Sequence, residues 1–302
     1  MTLIFVVGAT ATGKSDLAIE LAERLHGEII NADSMQLYKG MNIGTAKLSI
    51  EERRGIVHHL IDILDVTEES SVAQYQTLAR AKIDELEAKG VPTIVVGGTG
   101  LYVKAILDEL NFPERNEDVR ARLQREAEYI GTQAMHAKLA KLDPAAAAAI
   151  PAQNSRRVIR ALEVIELTGK PFTANLPREG SSRYPNAKQF GLVMDREKLT
   201  QKISNRVEMM WERGFVAEVK ELLSRGLREG KTARAGLGYS QIIRFLDGEI
   251  SEAEAKEDTK RATRQYARRQ ETWFSRDFRI TWLKGSIEER LEKITSTIIS
   301  NR

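Results

Sequence analysis

The sequence contains no cysteine. Disulfides and thiolate metal centres are therefore excluded, and the redox compartment is not written into the chain. No apolar run reaches membrane-spanning length. The N-terminus enters a candidate strand at once, with neither a basic leader nor a cleavable apolar segment. These features predict a soluble, cytoplasmic protein with no membrane contact. There is no internal repeat and no low-complexity tract; Ala145 to Ala149 reads as a helix of small side chains. The formal charge of +3 and pI near 8.9 are too mild to imply nucleic acid by themselves. His58-His59 lacks the companion ligands that a metal site needs. At 302 residues the chain accommodates one large α/β domain, or a core carrying a smaller inserted domain.

What is present is concentrated first in Leu3 to Ser15, LIFVVGATATGKS. Leu3 to Val7 is apolar and mostly β-branched, as a buried parallel strand requires. It breaks at Gly8 and continues through Gly13-Lys14-Ser15 into an amphipathic helix, Asp16 to Leu25. Gly8, Gly13, Lys14 and Ser15 have the G-x-x-x-x-G-K-[ST] spacing in the strand–loop–helix context that the motif demands. Glycines let successive backbone N–H groups curl around a phosphate, and the helix N-terminus adds partial positive charge. The octet Gly8, Ala9, Thr10, Ala11, Thr12, Gly13, Lys14 and Ser15 thus predicts binding of a diphosphate or of a polyphosphate such as ATP. Lys14 supplies a full charge, and the Ser15 hydroxyl is a candidate Mg²⁺ ligand.

Further along, Glu28 to Ala32 and Pro92 to Val96 read as core strands, while His58 to Leu64 fits either strand or loop. Ser71 to Lys89 reads as a helix stopped by Gly90. From Pro113 the pattern becomes helical only: Asn116 to Ile130, Thr132 to Leu142, Asp143 to Ile150 and Asn154 to Leu167, separated by Gly131, Asp143-Pro144 and Pro151. Pro171 to Pro185 reads as a closing loop. Gln189 to Met194 returns as a strand, followed by helices Arg196 to Arg213, Phe215 to Arg225, Ala233 to Leu246 and Ser251 to Arg276. A last strand, Arg279 to Leu283, and a last helix, Ser286 to Ser300, complete the chain. The predicted fold is α/β: a P-loop NTPase-like parallel sheet flanked by helices, residues 1–112 and 188–302, with an inserted all-helical subdomain, 113–187.

Asp33 follows the second strand, where α/β sheets place functional loops. It suits a Mg²⁺-holding carboxylate, a general base beside a bound diphosphate, or a turn aspartate. The PTIVV strand ends in Gly97-Gly98-Thr99-Gly100, where a hydrolysing P-loop protein often carries an acid, and Ile63-Leu64-Asp65 is a weak substitute. Phosphoryl transfer is therefore disfavoured. Lys260 to Arg276 carries six basic residues (Lys260, Arg261, Arg264, Arg268, Arg269, Arg276) against Glu271 alone. That run suits either a nucleic-acid contact or a solvated helix face interrupted by core positions Tyr266, Trp273 and Phe274. Trp211 and Trp282 also read as core.

GATATGKS, NADSMQLYKGMNIGTAK, GGTGLYVKAIL, RRVIRALEV, WERGFVAEV, GLGYSQ and TRQYARRQETWF, in that order, resemble the tRNA dimethylallyltransferases. Ala9, Thr12 and Ser15 depart mildly from the family's usual GPTASGKT loop. Ala235 stands where some members carry arginine, and Asn154-Ser155 replaces an Asp-Pro of some relatives. The absence of a Cys/His finger fits the bacterial form. The resemblance implies transfer of a dimethylallyl group from dimethylallyl diphosphate to N6 of the adenosine 3′ of the tRNA anticodon, with Mg²⁺; nothing in the sequence demands a dimer, and a monomer is expected. Within it, Asp33 matches the general base, Thr99 a residue at the reaction centre, and Lys14 and Arg206 diphosphate contacts. Arg206 reads equally well as a surface helix arginine. Asp33, Ser34, Met35, Gln36, Thr99, Arg120, Arg156, Arg157, Arg160, Arg268, Arg269 and Gln270 match tRNA contacts. Rival readings are a small-molecule kinase, an enzyme that prenylates free adenine nucleotides, and a non-catalytic RNA-binding protein.

Overall fold

The computed structural model describes residues 2–113, 115–175 and 182–299. The chain divides into two compact units, residues 1–106 with 184–302, and residues 107–183.

The first unit is built on a six-stranded, wholly parallel sheet. Its strands are β1 (Leu3–Gly8), β2 (Glu28–Asn31), β3 (His58–His59), β4 (Thr93–Gly97), β5 (Lys188–Leu192) and β6 (Ile280–Leu283), in spatial order β3-β2-β4-β1-β5-β6. β1 is buried along its whole length because it has a strand on each side, which is what its uninterrupted apolar run encodes. Val6 pairs with Val96 on one side and Phe190 on the other. Parallel strands share one carboxyl edge, so Gly8, Asn31 and Gly97 all end on the same side. Beneath it, α1 (Lys14–Leu25) and α12 (Ile287–Ile299) bury Leu17, Leu21, Leu291 and Ile294 against Ile4, Val6, Ile94 and Phe190.

The chain from Ala32 to Val57 forms no strand, yet it is tightly held. A second core packs Tyr38 and Met41 against Phe215, Val219 and Leu222 of α9 (Phe215–Ser224) and Tyr239 of α10 (Tyr239–Leu246). The Glu218 carboxylate accepts backbone N–H bonds from Asn42, Ile43 and Gly44 at 3.1, 2.7 and 3.3 Å, and the Tyr239 hydroxyl at 2.7 Å. One half-buried carboxylate thereby fixes a loop that has no ladder of its own. The remaining helices of this unit are α2 (Val72–Ala88), α3 (Gly100–Leu107), α8 (Arg196–Glu212) and α11 (Glu252–Phe274).

Two readings are corrected here. Ala233 to Leu246 is not one helix: Ala233–Ala235 is a 3₁₀ turn, and α10 starts only at Tyr239. Gly238 takes φ 84°, a left-handed conformation that ends one element before the next begins. Trp273 is 38% exposed rather than core, with one edge of its indole lying over Gly100.

The second unit contains α4 (Glu117–Ile130), α5 (Thr132–Leu142), α6 (Pro144–Ala149) and α7 (Ser155–Thr168). Their starts follow from local chemistry. The side chains of Asn116, Asp143 and Asn154 accept first-turn N–H bonds, and Pro144 occupies the first turn of α6. Residues 176–181 of the expected closing loop lie outside the described residues. Leu123, Met135, Leu139, Val158 and Leu162 form the unit's own apolar core. Glu163, fully buried, faces Arg120 at 3.2 Å and Arg160 at 3.1 Å, and accepts the Asn116 N–H at 3.2 Å. Because the two arginines still reach solvent, their loss of this partner is softened. Glu163→Ala is expected to lower stability by about 3 kcal/mol, the low end for breaking a buried pair. Urea unfolding checks this, and a change below about 0.5 kcal/mol would mean that the carboxylate holds nothing in place.

Candidate functional site

The site lies at the carboxyl edge of β1, β2 and β4, each of which delivers one short turn. The first is the Gly8–Ser15 loop. Gly8 takes φ 133°, and a Cβ there would fall 3.0 Å from the Leu192 carbonyl oxygen, so no side chain fits. Gly13 caps α1 at φ 86° with no side-chain cap, and Ala11 is also left-handed at φ 64°. These alternating conformations make the concave run of N–H groups that suits a phosphate. The Ala9 carbonyl accepts the Thr12 hydroxyl at 2.8 Å and the Lys14 ammonium at 2.6 Å, drawing Lys14 back over its own loop.

The second turn carries Asp33. Its N–H donates to the Asn31 Oδ1 at 2.9 Å, and its own Oδ1 accepts the Met35 N–H at 2.9 Å. Asn31 is itself fixed: its amide donates to the carbonyls of Asp33 and Leu60, and its carbonyl accepts the Tyr75 hydroxyl, each at 2.9 Å. The third turn brings Thr99, whose N–H donates to the Ala32 carbonyl and whose hydroxyl accepts the Ser34 N–H, both at 3.1 Å. Asp33 and Thr99 are therefore neighbours through the backbone of one turn.

Two helices close over these turns. From α8, the Arg206 guanidinium donates to the Thr10 hydroxyl at 3.3 Å. From α11, Gln270 accepts the Thr10 N–H through Oε1 and donates to the Gly98 carbonyl through Nε2, both at 2.8 Å. A cavity of about 270 Å³ lies between them, lined by Thr10, Asp33, Ser34 and Arg206 at its polar end. Ile203, Val207, Met210 and Leu237 form its apolar wall, and Tyr266 and Arg269 also border it.

The electrostatics are those of an anion site with one base. Burial is the largest influence on Lys14 and brings its pKa down to about 8; Asp33 opposes the shift and Arg206 reinforces it. Burial also lowers the pKa of Arg206, against the pull of Asp33 and Asp16. A dianion entering here would meet two cations whose charges are poorly compensated. Burial pushes the Tyr266 hydroxyl up to about 12, with the Asp33 charge adding, so Tyr266 remains a neutral donor at ordinary pH.

The structure brings Gly8 to Ser15, Asp33, Ser34, Met35, Thr99, Arg206, Arg269 and Gln270 together. Gln36 is occupied within its loop, donating to the Thr45 carbonyl at 3.1 Å. Gln270 is only 4% exposed and has both amide ends engaged internally, so it works as a clasp. Arg268 is exposed on α11. In the helical unit, Arg156 and Arg157 are exposed on α7, whereas Arg120 and Arg160 hold Glu163, and Arg160 also donates to the Pro113 carbonyl at 2.7 Å. Asn31 and Tyr266 are site residues that sequence reasoning passed over. The Thr263, Tyr266, Gln270 spacing along one face of α11 was the available signal for the second.

The sequence profile of the IPP transferase family matches residues 36–277. The chain is 59% identical over 287 residues to the tRNA dimethylallyltransferase of Thermobifida fusca, covering 93% of this chain and 89% of that one. It is 54% identical over 290 residues to the tRNA dimethylallyltransferase of Streptomyces griseus, covering 96% and 92%. Among solved structures, the full-length tRNA isopentenylpyrophosphate transferase of Bacillus halodurans aligns at TM-score 0.74 and 42% identity over 99% of this chain and 96% of that one. A eukaryotic dimethylallyltransferase acting on tRNA aligns at TM-score 0.85 and 28% identity, covering 100% and 80%.

With burial bringing the Lys14 pKa down to about 8, the Lys14 contribution to inorganic diphosphate affinity should be present below that pH and fade as pH rises through it. Lys14→Met should weaken binding and remove the inflection. Calorimetry across about pH 6.5–9.5 checks this; because diphosphate itself titrates in that window, the test is the difference between parent and variant, and a difference that does not change with pH assigns the titration to another group.

Proposed function

The chain belongs to the IPP transferase family, and we propose that it moves a dimethylallyl group from dimethylallyl diphosphate to N6 of the adenosine immediately 3′ of a tRNA anticodon. The observation that carries this reading is Asp33, a carboxylate held by Asn31 and Thr99's turn, set in the same cavity as Arg206 and within the field of Lys14. A kinase uses such a loop to pass on a phosphoryl group. Here the loop's task is to hold a leaving group.

The bond that breaks joins the allylic carbon to the diphosphate oxygen. Its electron pair goes to the diphosphate, where Lys14, Arg206 and the loop N–H groups stabilise the growing charge. The N6 lone pair, delocalised into the adenine ring, is a weak nucleophile and forms the new C–N bond. Asp33 takes the N6 proton, which keeps positive charge from accumulating on nitrogen. Thr99 orients this turn through its bond from Ser34 N–H, and Tyr266 adds a neutral hydroxyl nearby. An adenine can reach Asp33 only outside its base stack, so the nucleotide is extruded from the loop.

Magnesium fits as a companion of the ligand. No cluster of three or more His, Asp or Glu suited to a metal occurs among the described residues, so Ser15 would be joined mainly by phosphate oxygens and water. Bound there, the ion would neutralise leaving-group charge.

For the RNA, the anticodon stem-loop is the partner that this chemistry needs. Arg156, Arg157, Arg268 and Arg269 are the exposed arginines suited to its phosphates, which fix register, while unstacked loop bases give selectivity.

The decisive experiment incubates the protein with Mg²⁺, labelled dimethylallyl diphosphate and an anticodon stem-loop bearing adenosines 3′ of the anticodon, with AMP and ATP as parallel acceptors. Label is expected on the stem-loop alone, at N6 after nucleoside digestion. Label on free nucleotide would instead identify a nucleotide prenyltransferase. Asp33→Ala should reduce turnover by about 10²–10⁴-fold while stem-loop affinity stays near that of the parent; near-normal turnover would remove Asp33 from the mechanism. Arg156→Gln with Arg157→Gln should weaken stem-loop binding and reduce the log K against log[salt] slope by about 1–2. An unchanged slope would exclude both from phosphate contact.

A further inference from the structure

On α8, Ile203, Arg206, Val207 and Met210 recur at helical spacing and line one face of the reaction cavity. A prenyl diphosphate with its head under Arg206 therefore extends its tail past Val207 to Met210. A second and larger cavity, about 460 Å³, adjoins this stripe, lined by Ile43, Leu48 and Met209 but also by the charged side chains of Lys47, Glu52, Arg53, Asp62 and Arg213. Arg206 and Met210 are the residues that border both cavities. Arg206 is tied to Thr10, so Met210 is the side chain that decides whether the two spaces communicate.

We propose that Met210 sets the length of the allylic chain, an inference that rests on the prenyl-transfer reading above. Five carbons end against the thioether. Ten carbons must pass it and enter the second cavity. Methionine is unbranched and flexible, so it forms a wall that discriminates by displacement cost rather than by a rigid clash. Shortening it to alanine joins the two cavities, and Ile43, Leu48 and Met209 offer the apolar part of the second to an additional isoprene unit.

The test compares dimethylallyl diphosphate with geranyl diphosphate on the same stem-loop, reading the ratio of their kcat/KM values. The parent should prefer the five-carbon donor by about 100-fold or more, as expected for a pocket that lacks room for added methylenes. Met210→Ala should shift that ratio towards geranyl by about tenfold or more, and Met210→Leu, which conserves volume, should keep the parent ratio. Should the alanine variant unfold early in urea, Met210→Val decides on the same criterion. A ratio within twofold of the parent in the folded shortened variant overturns the proposal. A parent that transfers neither group overturns the functional reading beneath it, whereas an active parent with an unmoved ratio overturns the chain-length role alone.

Discussion

One primary amide joins the two glycine turns on which the site is built. Gln270 receives the Thr10 N–H of the phosphate loop and gives a bond to the Gly98 carbonyl beyond β4. A Cβ on Gly98 would lie 2.1 Å from the Gln270 nitrogen, so glycine at 98 is what lets the amide enter. The bond to Gly98 is buried and the one from Thr10 partly so, and loss of either partner would leave a polar group stranded. Through them, the placement of α11 over the sheet and the distance between the phosphate loop and the Thr99 turn become one constraint. Asp33 inherits its position from the same joint, because Thr99 holds the Ser34 N–H.

Charge is handled differently in the two units. In the core, Lys14 and Arg206 lie within the field of one carboxylate, Asp33, and burial lowers the proton affinity of both. Such an arrangement costs folding stability and favours an incoming anion. In the helical unit, Glu163 is fully buried; its Oε2 faces two arginines at ion-pair distance without an aligned hydrogen bond, and its Oε1 accepts a backbone N–H. Arg120 and Arg160 are thus committed to Glu163, whereas Arg156 and Arg157 of the same insertion are exposed on α7.

Much of this was legible because it is local. The phosphate loop announces itself by glycine spacing between a strand run and a helical run, and Asp33 and Thr99 follow directly upon strand ends. The insertion's helices could be bounded to within a residue or so from Asn116, Gly131, Pro144 and Asn154, since caps act through the nearest turn. The failures have a shared cause. Ala233 to Leu246 looks periodic, but Gly236 and Gly238 interrupt it where Tyr239 must turn into the Phe215 core. Tyr266 and Trp273 carry the right apolar spacing for a core, yet one borders the cavity and the other lies half out of it over Gly100. Periodicity says which face turns inward, not what that face meets.

By itself the sequence determined the parallel α/β class, the glycine-bounded loop from Gly8 to Ser15, the helical character of the insertion and the short turns that carry Asp33 and Thr99. Each depends on dihedral preference, capping or hydrophobic period within a few residues. Only the tertiary structure decided that Gln270 is a clasp, that Asn31 aims Asp33, that Arg160 serves Glu163, and that Met210 stands between two cavities. Those roles arise from contacts between segments up to 260 residues apart, such as Thr10 with Gln270. A side chain's identity limits what it can bond, but packing selects which partner it finds.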